Sequence, residues 1–265
     1  MNRRDLLLGT SSLLAAAAAR GLGQEPAPRS PETVLVAGAT GSIGRFVVQH
    51  LLAGGHAVRG LTRHPQEAAE REPRVQWAQG DFKSPDSLEA IAEGVDRIVF
   101  AAGSKSWADP SNSPELVDYG GVRELCDRGQ RAGAKRMVVI SSVGTRNPLK
   151  EASDHLRNVL KWKAKAEEHL RGSGLDHAIL RPLGMWNRPG GELGVAVLSG
   201  DSVRASVTIS RQDLAVVAAE CAFLEGARNK SFELFNAATP ELDAWKADLA
   251  KLPVDVRAVG ESKDE

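Results

Sequence analysis

A chain of 265 residues, 42% of them apolar, has the length and composition of one large α/β domain with a buried core. Lys plus Arg number 34 and Asp plus Glu number 34, so the formal net charge is zero and no basic face is expected for a nucleic acid. Only Cys126 and Cys221 are present, without closely spaced Cys or His partners; they read as buried small apolar side chains, and no metal site is expected.

Residues 1–24 differ in character from the rest. Arg3-Arg4 precede an apolar run through Leu13-Leu14 to Ala19, and small residues at Ala17–Ala19 or near Gly23 offer a cleavage site. This is the pattern of a secretory signal, and the paired arginines point to the twin-arginine route. The run is too short and too rich in alanine and glycine for a stable membrane span. The expectation is a periplasmic or exported protein. A cytoplasmic chain with a basic N-terminus, or one anchored by an uncleaved segment, is the alternative. Residues 25–31 read as a proline-containing linker, 32–240 as the folded domain with a small cap, and 241–265 as a C-terminal helix and tail.

Within the domain, Thr33–Ala37 is a short apolar, β-branched strand followed at once by glycines. Ile43–Ala53 has helical spacing, with Phe46, Val47, Leu51 and Leu52 apolar, and Gly54-Gly55 ends it. Strands are expected at Ala57–Leu61 and Val75–Ala78, then a short helix at Asp86–Glu93 and a fourth strand at Arg97–Ala102. A long helix over Pro114–Ala132, a strand at Arg136–Ser141, a helix at Ser153–Arg171 and a strand at Asp176–Arg181 follow. Strand–helix alternation at this spacing gives a Rossmann-type doubly wound parallel sheet with helices on both faces. Strands at Val203–Ile209 and Ser231–Asn236 and a helix at Arg211–Leu224 are expected to form a small C-terminal cap.

The segment Gly38-Ala39-Thr40-Gly41-Ser42-Ile43-Gly44 lies between strand and helix. In that setting the first glycine permits a tight turn, the second lets the backbone approach a pyrophosphate, and the third packs helix against strand. The helix N-terminus supplies free N–H donors for the phosphates. Gly38, Thr40, Gly41, Ser42, Ile43 and Gly44 are therefore expected to cradle a dinucleotide. The second strand ends Leu61-Thr62-Arg63-His64, with no carboxylate for a ribose 2′-hydroxyl and with Arg63 placed for a 2′-phosphate. Arg45 and Arg59 are also near in sequence. NADP is expected over NAD.

These residues resemble the opening of the atypical short-chain dehydrogenase/reductases, the NmrA-like or NAD(P)H-binding branch. Gly80-Asp81-Phe82, Ala101-Ala102-Gly103, Asp118-Tyr119, Val138-Val-Ile-Ser-Ser142, Trp162-Lys163-Ala-Lys-Ala-Glu167 and Ala178-Ile-Leu-Arg-Pro182 follow the same pattern, over roughly residues 32–240. The resemblance implies cofactor contacts at Asp81, Phe82, Ala101, Ala102, Gly103, Ser141 and Lys163. It implies substrate contacts at Ser142, Pro182 and Trp186, and offers Ser142 and Lys163 as the candidate catalytic residues.

The wider superfamily uses a tyrosine as proton donor with a lysine four residues later. With Lys163 in the lysine's place the tyrosine position is Val159, and the chain's one tyrosine is Tyr119. Valine transfers no proton, so reduction of an ordinary ketone lacks its acid. The resemblance then leaves an NADPH-dependent oxidoreductase of a planar flavin- or quinone-like acceptor. The alternative is a non-catalytic NADP-binding redox sensor or assembly factor with a protein partner. A sugar-nucleotide epimerase would need the tyrosine.

Overall fold

The computed structural model describes residues 30–106, 108–147, 152–200, 207–238 and 241–256. The signal segment expected at 1–24 and all of the linker up to residue 29 lie outside the described residues, as do 201–206 of the cap and the tail from 257. The described residues from Pro31 onward belong to one compact unit.

Strand β1 is Thr33–Ala37, as its β-branched apolar run requires. Side chains alternate across a strand, so Val34 and Val36 join the core on one face while Leu35 and Ala37 join the core on the other. Both faces being covered, the strand is apolar throughout rather than at every second residue. β4 (Arg97–Phe100), β5 (Arg136–Ile140) and β6 (His177–Pro182) are likewise buried along almost their whole length, whereas β2 (Ala57–Thr62) is partly exposed and the edge strand β3 (Gln76–Gln79) has Gln76 and Gln79 exposed. These six lie parallel in the order β3-β2-β1-β4-β5-β6. The order reverses between β1 and β4, and that switch opens a crevice at the carboxyl ends of the strands.

One face is covered by α1 (Gly44–Ala53), α5 (Arg211–Cys221) and α6 (Ala244–Lys251), whose Val47, Leu51, Leu214, Val217, Trp245 and Leu249 pack on the sheet. The opposite face is covered by α3 (Gly121–Arg131) and α4 (Asp154–Gly172) through Val122, Leu125, Cys126, Ala166 and Leu170. Ser153 caps α4 by accepting from the N–H of Leu156 at 3.2 Å, and Ser210 does the same for α5 from Gln212 at 3.1 Å.

Several expected boundaries move. The helix foreseen over Pro114–Ala132 is two pieces, a π-helical stretch at Glu115–Gly120 running into α3. The helix foreseen at Asp86–Glu93 is a single 3₁₀ turn at Pro85–Leu88. An unforeseen helix α2 spans Pro65–Arg71, with proline at its first position.

The C-terminal third is less of a separate cap than expected. The strand foreseen at Ser231–Asn236 is β10 (Lys230–Ala237), which joins the main sheet parallel to β6. An unforeseen β8 (Gly194–Ser199) pairs antiparallel on its outer edge. Lys230, Ser231 and Glu233 of β10 are polar, yet all are buried. The Lys230 ammonium donates to the carbonyls of Leu249 and Ala250 at 2.8 and 2.9 Å, at the carboxyl end of α6 where a cation is favoured. What stands apart from the sheet is a two-stranded parallel pair, β7 (Gly184–Trp186) and β9 (Thr208–Ser210). Among the described residues no helix is long and apolar enough to cross a membrane.

Candidate functional site

The turn after β1 has no room for side chains at its glycine positions. Gly38 sits at φ +78°, and a Cβ there would meet the backbone N of Ala102 at 2.8 Å. A Cβ on Gly44 would meet the carbonyl oxygen of Gly38 at 2.0 Å, and one on Gly41 would meet it at 3.0 Å. The N–H of Gly41 donates to that same carbonyl at 2.8 Å, closing the turn. Among the described residues no hydrogen bond takes up the N–H groups of Ser42, Ile43 or Gly44. Neither a side-chain cap nor an acidic residue occupies the first turn of α1. A glycine-lined concavity with unspent donors at a helix N-terminus fits a pyrophosphate. Thr40 and Ser42 are exposed at its rim, while Ile43 is buried and anchors the helix.

At the carboxyl end of β2, Arg63 is exposed, with no hydrogen-bond or ion-pair partner among the described residues. Its charge reaches Asp109, whose pKa is lowered chiefly by the hydrogen bonds of Ser111, with Lys83 and Arg63 adding to the effect. Arg59 is excluded from the rim, because its guanidinium donates to the carbonyls of Ile91 and Glu93 at 3.0 and 2.7 Å. Arg45 lies over the ring of Phe46 at 4.6 Å. After β3, the Asp81 carboxylate accepts from the N–H of Lys83 at 3.0 Å and holds the loop. Phe82 packs on Phe100 with ring centroids 5.6 Å apart.

Across the switch, Ala101, Ala102 and Gly103 continue β4, with the N–H of Ala101 donating to the Ala37 carbonyl at 2.9 Å. That bond brings the β4 loop against the glycine turn. Next to it sits a charge pair unforeseen in the sequence. Asp118 lies in the π-helical stretch, its side chain 1% exposed, and its Oδ1 is 2.9 Å from Nζ of Lys163 on α4. The contact is a close ion pair, but its angles are not those of a directional hydrogen bond. Asp118 Oδ2 accepts from the N–H of Ser104 at 3.1 Å, and Lys163 Nζ donates to the carbonyl of Ile140, the last residue of β5, at 3.3 Å.

Ser141 and Ser142 part company. The Ser141 hydroxyl turns inward and donates to the Glu167 carboxylate at 2.5 Å, so it is spent inside the protein rather than offered to the crevice. Ser142 is half-buried and donates to the Val143 carbonyl at 3.1 Å. Glu167 is the hub of a buried network, accepting from Arg181 through two nitrogens, from Thr145 at 3.0 Å and from Arg171 at 3.2 Å. Burial pushes its carboxyl up, but the bonds and charge of Arg181, with help from Ser141 and Arg171, outweigh this and hold it below the usual carboxylate value. Neither Glu167 nor Arg181 was assigned a role from the sequence. For Arg181 the signal was a charged residue inside an otherwise apolar strand; Glu167 carried none, since it stands among other charged residues of α4.

Beyond β6, Pro182 is buried and Trp186 half-buried on β7, with the Arg188 guanidinium 4.3 Å from the indole centroid. Tyr119, the chain's one tyrosine, lies among aromatic side chains. Its ring packs on Trp162 at 5.7 Å between centroids and edge-on to His169 at 6.4 Å, between α3 and α4. Val159 occupies the turn of α4 before Lys163.

The fold also gathers Cys126, Asp127 and His169, whose ligand atoms lie within 4.8 Å of one another, a grouping that spacing along the chain does not reveal. Burial pushes the Cys126 thiol up to about 11, and His169 pairs with Asp127 at 2.7 Å. A neutral thiol is a poor metal ligand.

The family model described as NAD(P)H-binding matches residues 38–224. An uncharacterized chloroplastic protein of Arabidopsis thaliana is 31% identical over 238 residues, covering 81% of this chain and 72% of its own. Sanguinarine reductase of Eschscholzia californica is 27% identical over 245 residues, covering 76% and 88%. A solved structure from Bacillus halodurans, described as a NAD-dependent epimerase/dehydratase, superposes with a TM-score of 0.72 at 27% identity, covering 82% of this chain and 99% of that one. The chain therefore belongs to the NAD(P)H-binding family, within the atypical, NmrA-like short-chain dehydrogenase/reductases, and its ligand is a nicotinamide dinucleotide.

Proposed function

We propose that this chain is an NADPH-dependent oxidoreductase that passes hydride directly to a flavin- or quinone-like acceptor, without an enzymic proton donor. The observation that carries this reading is on α4, where Lys163 reaches the crevice but Val159 stands in the turn before it, while the one tyrosine rests on Trp162. When bound, NADPH supplies the hydride. Gly38, Thr40, Gly41, Ser42, Ile43 and Gly44 would hold its pyrophosphate, and Arg63 would supply positive charge to its 2′-phosphate. Asp81 and Phe82 flank the adenine end. Ala101, Ala102, Gly103, Ser142 and Lys163 border the nicotinamide end. Half-buried Trp186 offers flat apolar surface to the acceptor ring, and Pro182, itself buried, closes β6 on that side. A flavin or quinone takes its proton from water, so the absent acid costs it little. One relative is named a reductase, which agrees with the class of reaction.

Purified protein mixed with NADPH and a panel of flavins and quinones, followed at the NADPH absorbance, tests this. Oxidation above background with at least one acceptor is expected, and none across the panel would sink the reading. In that event the missing acid supports a second one, a non-catalytic NADP-binding sensor or assembly factor. Its mark is a partner that co-purifies in an NADP-dependent manner. We further propose that residues 1–24 direct export by the twin-arginine route, on the strength of Arg3-Arg4 and the apolar run behind them.

A further inference from the structure

The crevice is not electrically symmetrical about its cofactor. A dinucleotide lies across the switch point, one half on each side of it. With the 2′ position read at the end of β2, the nicotinamide half falls on the β4–β5–β6 side. There the ion pair of Asp118 and Lys163 bridges the two strands that bound it. Asp118 holds Ser104, in the loop after β4, while Lys163 holds the carbonyl that ends β5. An ammonium has three protons. One goes to Ile140, and the Asp118 contact is not directional, so Lys163 keeps donor capacity for a ligand. Its side chain is 15% exposed against 1% for Asp118, so the cation faces the crevice and the carboxylate stands behind it.

We infer that Asp118 is a positioning residue that supplies the counter-charge to Lys163 and thereby sets the balance between oxidised and reduced cofactor. The nicotinamide ring is neutral in the reduced dinucleotide and carries a positive charge in the oxidised one. A bare ammonium beside it repels only the oxidised form. With Asp118 in contact, Lys163 donates its hydrogen bonds while the net charge of the pair is zero. In an enzyme with a tyrosine dyad the positive charge would serve the phenol. Here Val159 takes that place, and nothing at the site calls for an uncompensated cation.

This inference rests on dinucleotide binding at the β4–β5 edge and not on any acceptor. The test is therefore an affinity ratio rather than turnover. NADPH is titrated by its fluorescence and NADP+ by displacement of NADPH, and the ratio of Kd for NADP+ to Kd for NADPH is compared across variants. Asp118→Asn keeps the shape and the acceptor for Ser104 but strands the lysine charge. The ratio should rise about tenfold, equivalent to ~1.4 kcal/mol. Lys163→Met strands the carboxylate instead, and the ratio should fall below that of the unaltered protein. The double variant should return toward the starting ratio. A purely structural role would weaken both forms together and leave the ratio unmoved, and that result overturns the inference. So does movement of both single variants in the same direction. If Asp118→Asn does not fold, Lys163→Met decides alone, and a ratio that does not fall refutes the proposal. A shifted ratio with no oxidation across the acceptor panel would sink the reductase reading only.

Discussion

The carbonyl oxygen of Gly38 and the α-carbon of Gly44 are so close that a methyl group on Gly44 would lie 2.0 Å from that oxygen. The obstruction is backbone, so no side chain can swing aside. Gly44→Ala must displace the start of α1 from β1. A loss of about 3 kcal/mol is expected, as for overpacking against a rigid neighbour, together with loss of NADPH binding. Gly55→Ala is the control. Gly55 has φ +78° but nothing within 4 Å of its would-be Cβ, so it should cost roughly 1–2 kcal/mol and leave NADPH affinity intact. Thermal unfolding and fluorescence titration of the two variants check this.

Arg63 is free to meet a 2′-phosphate because nothing else among the described residues holds it. Arg63→Ser should weaken NADPH about tenfold or more, the value of charge-assisted hydrogen bonds, and leave NADH unchanged. Comparison of the two dissociation constants in low salt would show it. An equal effect on both cofactors would remove Arg63 from the 2′ position.

Glu167 and Arg181 are 1% and 0% exposed, and removing the carboxylate charge from this buried network leaves the guanidinium charges of Arg181 and Arg171 less well compensated. Glu167→Gln should destabilise the fold by about 3–5 kcal/mol. Because the folded pKa of Glu167 lies below its ordinary 4.5, its contribution is present in full above that pH. It is lost as pH falls through the depressed folded value. Denaturant unfolding across the acid range should show stability falling with pH in the unaltered protein and a flatter slope in the variant.

The export proposal has its own readout. Replacing Arg3 and Arg4 together by lysine should leave the chain in the cytoplasm, and cell fractionation with N-terminal sequencing of the exported form would establish both route and cleavage point. Export unaffected by the double substitution removes the twin-arginine route.

Much of the architecture could be read along the chain because it depends on neighbours within a turn or two. Thr33–Ala37 was legible to the residue, since an apolar β-branched run meeting glycine can do little else. The α4 start at Ser153 was legible because a serine hydroxyl caps an orphan N–H three residues on. The π-helical stretch at Glu115–Gly120 was not, for its wider winding leaves no residue signature distinct from an α-helix. Nor was β8, which is held by antiparallel pairing with β10, a partner more than thirty residues on in the chain.

Sequence alone determined the Rossmann pattern and the glycine cradle, because strand, turn and helix there follow one another without a break. It also determined that no tyrosine stands one turn before Lys163. Only the tertiary structure decided where polar groups are spent. The order β1-β4-β5 brings Asp118 beneath the β4 loop and Lys163 to the end of β5, so two residues distant in the chain cancel each other's charge. The same packing turns Ser141 inward to Glu167 and leaves Arg63 outside. A polar residue announces its chemistry in the sequence, but its partner is chosen by whichever strands lie side by side.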